Sequence, residues 1–212
     1  MVIRAGEVLS YVAGILFMGF FVVQIAQGEI QRRSAIAEFS NIPEENLIPI
    51  PETAGPDTTL WAPGRVTDYQ TSLNAELPPV LGVLAIPSIG LEVPVYPSDS
   101  ELLMDRGSGV IDGMSYPHEQ GNIGIAGHRD GYFRVLKDVQ PGDKLLLETL
   151  EGPKNFVINS TQIVEIDDMD LLQDTNEQTV TLVTCYPFYF VGHAPQRFIV
   201  TASLDITDVN QN

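Results

Sequence analysis

Across residues 80–204 apolar and polar positions alternate in short runs, the period-two pattern of half-buried strands. Val83 and Ala85, then Ile89, Leu91, Val93 and Val95, alternate with Pro87 and Pro94 as punctuation. Similar runs recur at 122–126, 144–147, 155–158, 162–166, 179–184 and 198–202, with Pro141-Gly142 and Gly152-Pro153 as turn signals. Short β-branched runs with no long helical pattern between them predict a closed antiparallel barrel or a sandwich. Short helical pieces are expected near residues 100–106 and 168–173. No internal repeat or low-complexity segment interrupts the pattern.

The N-terminal part reads differently. Residues 8–28 form a run of 21 without a charge, and about 20 apolar residues span a bilayer core as a helix. The competing readings are a cleaved signal peptide, with Ala26-Gln27-Gly28 as its site, and a buried core helix; the run is long for the first and uniform for the second. Arg4 precedes the run and Arg32 and Arg33 follow it, so the positive-inside rule assigns no orientation. Residues 41–79 carry Pro43, Pro49, Pro51, Pro56, Pro63, Pro78 and Pro79, a density that favours an extended, semi-rigid spacer. Trp61 either pins this stalk to the following domain or belongs to a short ordered element of it. The expected division is an anchor with its flanks at 1–33, a stalk at 34–79, a barrel at 80–206 and a tail at 207–212.

Composition narrows the function classes. The chain of 212 residues has a formal net charge of −17, which argues against an electrostatic grip on nucleic acid. A hydrophobic fraction of 44% supports a sizeable core for one domain. The single cysteine excludes an intramolecular disulfide, and an unpaired thiol on an exported domain is an oxidation liability that needs a reason.

Three side chains stand where chemistry is commonly placed. Cys185 ends the run 179–184, sharing a face with Thr181 and Val183, and Pro187 prevents the strand from continuing as a central one. A lone cysteine is also commonly an inert buried one. His128 follows the run 122–126 in a Gly-flanked exit, Gly127-His128-Arg129-Asp130-Gly131; its ordinary pKa of about 6.5 suits acid–base work, although a surface loop histidine has the same appearance. Arg197 begins the last run, and strand pairing between neighbours brings it near Cys185, where a rigid guanidinium suits an oxyanion. Taken alone, it is equally an ordinary edge-strand arginine. Asp167, Asp168 and Asp170 read as a solvated acidic turn rather than a cation site, so no metal or cofactor is expected.

Together these residues carry a resemblance. Thr181-Leu182-Val183-Thr184-Cys185 resembles the TLxTC signature of the sortases, Arg197 stands twelve residues on, and Ile125-Ala126-Gly127-His128-Arg129-Asp130 looks like the family's histidine segment. The stretch 185–198 is most similar to class D sortases, and the resemblance covers about residues 80–204. It implies a closed eight-stranded β-barrel with short helices, preceded by one N-terminal transmembrane helix, with Cys185, His128 and Arg197 catalytic. It implies cleavage of an LPxTG-like sorting signal after Thr through a thioacyl intermediate, then transfer to an amine. The implied partners are a sorting-signal-bearing surface protein or pilin, and an amine acceptor that is a peptidoglycan precursor or a pilin lysine. The implied location is the cytoplasmic membrane, single-pass, with the N-terminus inside and the catalytic domain on the extracytoplasmic face. The rival readings are a cysteine hydrolase on the same residues and a non-catalytic membrane-tethered barrel that binds a ligand.

Overall fold

A computed structural model describes residues 14–15, 17–19, 55–166, 172–189, 192 and 194–205. The chain divides into two compact units, residues 1–42 and 43–212. In the first, residues 14–15 and 17–19 are helical, with Ile15, Phe17 and Met18 exposed. Among the described residues no helix is long and apolar enough to cross a membrane. The expected span, residues 8–28, lies mostly outside them.

The second unit is a closed barrel of eight strands: β1 (Gly82–Ile86), β2 (Leu91–Tyr96), β3 (Ser108–Val110), β4 (Asn122–Ala126), β5 (Lys144–Thr149), β6 (Gly152–Glu165), β7 (Thr179–Tyr186) and β8 (Gln196–Leu204). Around the barrel they run β1-β2-β3-β4-β7-β8-β6-β5, and β5 pairs back onto β1. The alternation read from the sequence is what fills the interior. Leu84, Val93, Ile123, Leu145, Phe156 and Leu182 are all completely buried, one from each of six strands.

Two features depart from the expected antiparallel barrel. β2 pairs parallel with β3, and β4 parallel with β7. Parallel neighbours need a crossover, and both connections supply one. Between β2 and β3 the crossover holds the helix Glu101–Arg106; between β4 and β7 it holds the whole β5–β6 hairpin. The runs at 155–158 and 162–166 join as the 14-residue strand β6, whose pairing with β8 shifts register between Ile158 and Ser160. Such a bulge absorbs an extra residue and keeps the strand continuous where the alternation slips. Strand β3 has three residues, too few to show a period. The helical piece expected near 168–173 falls largely outside the described residues.

The proline-rich stretch is not extended throughout. Residues Pro63–Ser72 form a helix, here α1, and Glu101–Arg106 is α2. Pro63 sits in the first turn of α1, where the missing N–H costs nothing, and residues 64–77 contain no other proline. Trp61 lies just ahead of this helix rather than in it, and it ties the segment down by donating from Nε1 to the Asp130 carbonyl at 2.7 Å. Its ring meets Tyr69 edge-on at 5.6 Å and lies 4.4 Å beneath the Arg65 guanidinium.

The barrel predicts an asymmetry between two apolar truncations. Leu182→Ala, at a fully buried site, should cost about 2–5 kcal/mol. Ile163→Ala, at a site 47% exposed, should cost about 0.5 kcal/mol or less. Denaturant unfolding of the two variants checks this, and comparable losses would contradict the placement of β7 in the core.

Candidate active site

Because β4 and β7 are parallel, both end at the same rim of the barrel, and antiparallel β8 begins there. β7 lies between the other two, hydrogen-bonded along both edges. Ala126 of β4 pairs with Val183, and Arg197 of β8 pairs directly with Cys185. Cys185 and Arg197 are thus cross-strand neighbours, and His128 follows two residues after the end of β4. Along β7 the alternation separates Val180, Leu182 and Thr184, which are buried, from Val183 and Cys185, which are half-buried and line a hollow.

The backbone entering His128 is held from β7. Thr184 donates from Oγ1 to the Gly127 carbonyl at 2.7 Å, and the Gly127 amide donates to the Val183 carbonyl at 3.1 Å. One side of Gly127 faces the Phe133 ring so closely that a Cβ there would come within 2.7 Å of it. The glycine before His128 is therefore a space requirement. Arg129 donates to the carbonyls of Pro187 at 3.3 Å and Gly192 at 2.7 Å, tying the histidine loop to the loop after Cys185.

His128 faces two carboxylates. Its Nε2 lies 3.3 Å from Glu101 Oε2 and 3.5 Å from Asp105 Oδ1, both on α2. Glu101 is largely exposed, whereas the Asp105 side chain is 8% exposed and bonded by Arg65 Nη1 from α1. Arg65 Nε also lies 3.8 Å from Asp130. Burial, and after it the Arg65 charge, holds the His128 pKa below its ordinary value; Glu101, Asp105 and Asp130 pull against that fall without reversing it. Arg197 donates from Nη1 to the carbonyls of Ala194 at 3.4 Å and Gln196 at 3.0 Å, which steadies the guanidinium at the rim.

Two hollows meet at Cys185. One, of about 390 Å³, contains His128, Cys185 and Arg197 and has apolar walls from Met104, Ile111, Val164, Leu172 and Ile199. The other, of about 440 Å³, shares Cys185 and His128 but is lined by Arg65, Glu101, Arg129 and Asp130. The first is therefore mostly apolar in its walls and the second mostly charged. The three side chains singled out from the sequence are brought together. Asp105, Glu101 and Arg65 were missed, because nothing in their spacing relates α1 and α2 to the histidine loop. Arg129 and Thr184 were legible in part, being adjacent to His128 and Cys185. Asp167, Asp168 and Asp170 lie outside the described residues.

Comparison with known proteins agrees with this geometry. The family model described as "Sortase domain" matches residues 84–205. "Sortase D" of Bacillus subtilis is 36% identical over 133 residues, covering 62% of this chain and 67% of the relative. "Sortase A" of Bacillus anthracis is 26% identical over 129 residues, covering 59% of this chain and 60% of the relative. The chain thus spans about two thirds or less of these relatives' lengths. Among solved structures, a Clostridium perfringens Sortase D5 transpeptidase superposes with a TM-score of 0.55 at 24% identity, covering 69% of this chain and 91% of that one. Sortase C-1 of Actinomyces oris superposes with a TM-score of 0.55 at 24% identity, covering 84% and 97%. At these identities the structural likeness concerns the fold.

The close approach at Gly127 predicts opposite signs for two glycine substitutions. Gly127→Ala should lower stability by about 1–3 kcal/mol, because the methyl group meets the buried Phe133 ring. Gly64→Ala, in α1 with open space around it, should raise stability by about 0.5–1 kcal/mol. Thermal unfolding of both variants measures the contrast, and a neutral Gly127→Ala would remove the steric account of the histidine approach.

Proposed function

From the chain's membership of the sortase family, which are cysteine transpeptidases, we propose that Cys185 is its nucleophile, with His128 as general acid–base and Arg197 as oxyanion donor. One observation carries this reading. Cys185 and Arg197 are direct cross-strand partners at a barrel rim, and His128 lines the same hollow from the parallel strand on the other side.

The substrate in this reading is an LPxTG-like sorting signal of a surface protein or pilin, lying extended along the apolar hollow. The Cys185 thiolate attacks the carbonyl carbon of the Thr residue, and the carbonyl electrons move to its oxygen. Arg197 holds that oxyanion with Nε and Nη2, its Nη1 being engaged with backbone carbonyls. Collapse of the tetrahedral intermediate breaks the C–N bond, and protonated His128 donates its proton to the leaving amine. A thioester remains on Cys185. An acceptor amine, from a peptidoglycan precursor or a pilin lysine, then attacks it; His128 takes the amine's proton and the thiolate leaves. Residues 8–28 anchor the enzyme in the cytoplasmic membrane, with the barrel on the extracytoplasmic face. The uncharged length of that run supports the span, and the family resemblance supports the orientation.

The full chain in detergent, mixed with an LPxTG-type peptide library, tests the reading by mass spectrometry with and without an added amine. Wild type should cleave after Thr and yield amine-capped product, and Cys185→Ala should yield none. Arg197→Ala should lose on the order of 10²–10³ in rate, and His128→Ala on the order of 10²–10⁴. Product found only as the free acid would make the enzyme a hydrolase, and cleavage by Cys185→Ala would end the proposal.

A further inference from the structure

A buried carboxylate needs a partner, since an unpaired charge in low dielectric is costly. Asp105 has two cationic or titratable neighbours on one atom. Its Oδ1 accepts from Arg65 Nη1 and also lies 3.5 Å from His128 Nε2. Arg65 comes from α1, 40 residues earlier, and its guanidinium is itself fixed: it stacks over Trp61 at 4.4 Å, and the Trp61 indole is hydrogen-bonded to the Asp130 carbonyl. Glu101, one turn before Asp105 on α2, also faces Nε2, but it is 86% exposed and water screens its charge. The charged and titratable groups around the imidazole are Arg65 from α1, Asp99 just ahead of α2, Glu101 and Asp105 from α2, Arg129 and Asp130 from its own loop, Cys185 from β7 and Arg197 from β8.

We infer that Asp105 is a positioning residue for His128, and that Arg65, reaching in from the segment ahead of the barrel, holds its carboxylate and balances its charge. The inference rests on the acid–base role given to His128 above. Asp105 favours the imidazolium needed to protonate the leaving amine, and Arg65 opposes it. The two substitutions therefore act in opposite directions. Without the Asp105 charge the imidazolium is less favoured and His128 titrates at lower pH. Without the Arg65 charge it is more favoured, and His128 titrates at higher pH. A purely structural role for either residue gives no such opposition.

The test is an NMR titration of the ¹³C-labelled histidine rings in the full chain carrying Cys185→Ala. The chain has three histidines, and His118→Gln and His193→Gln assign the remaining signal. Asp105→Asn should shift the His128 midpoint down by roughly 0.5–1 pH unit, and Arg65→Gln should shift it up by a similar amount. Arg65→Lys, which keeps the charge, should stay near the parent. Should Asp105→Asn fail to fold, the upward shift in Arg65→Gln and its rescue by Lys still decide the matter. In the active chain the limb of kcat/KM that follows the His128 titration should move in the same two directions. Midpoints that do not move, or that move together, overturn the inference whatever the activity. Opposed midpoints in a chain with no Cys185-dependent turnover uphold the charge coupling and sink the catalytic reading instead.

Discussion

Strand β7 is hydrogen-bonded along both edges at once, to β4 in parallel and to β8 in antiparallel register, and the site depends on that double ladder. Side chains on a strand alternate faces, so a slip of one residue on either edge would turn a partner away from the rim. The register is locked by more than backbone bonds. Leu182 and Val200 are opposite one another and fully buried, so a slip would expose both. Two threonines of β7 also bond to the β4 side: Thr181 to Asn122 Oδ1 at 2.8 Å, and Thr184 to the Gly127 carbonyl at 2.7 Å. In the run Thr-Leu-Val-Thr-Cys both threonines and the leucine thus have a physical task before any chemistry is considered.

That run shows why so much of the site was legible in the sequence. Period-two alternation alone places Val183 and Cys185 on one face and Leu182 and Thr184 on the other, and burial follows it from Leu182 to Cys185, while Thr181 on the Cys185 face is buried where it bonds to Asn122. Pro187 ends the strand, so the thiol falls at the rim. Arg197 was legible as a partner because a strand following at short range pairs antiparallel by default. The parallel β4–β7 pairing was not, because it joins runs separated by a hairpin and no local period records which edge a distant strand takes. The sortase resemblance supplied the missing link between His128 and Cys185. It supplied nothing about α1, where proline density hid a proline-free window; there, the helix buries Ser72 and sets Arg65 and Tyr69 on one side by four-residue spacing.

The spacing of Trp61, Arg65 and Tyr69 gives that helix its purpose. Trp61 bonds to the histidine loop and Arg65 to α2, while the Tyr132 phenol is pushed above its ordinary range by burial first and by Tyr69 next. Trp61 just ahead of α1 and Arg65 within it thereby touch the histidine loop and α2, the two elements that flank the imidazole. The last turn is closed from α2, where Arg106 donates to the Ser72 carbonyl at 3.0 Å. A segment held this way is part of the catalytic domain's architecture, although the bulk composition of its neighbourhood resembles a spacer.

The charge balance makes such local contacts decisive. A net charge of −17 over the whole chain disfavours a thiolate and an oxyanion if it acts at a distance. At physiological ionic strength surface charges are screened beyond about 8 Å, so cations fixed inside that range govern the site. The chain has 11 lysines and arginines, and Arg65, Arg129 and Arg197 all line the two hollows at Cys185. Each is held by a different element: Arg197 by its own strand end, Arg129 by the loop after Cys185, and Arg65 by Asp105 and Trp61. Fixed guanidinium groups need no reorganisation when negative charge develops. An acidic protein can therefore keep fixed cations among the carboxylates at its rim, and three of those carboxylates, Glu101, Asp105 and Asp130, restrain the fall in the His128 pKa.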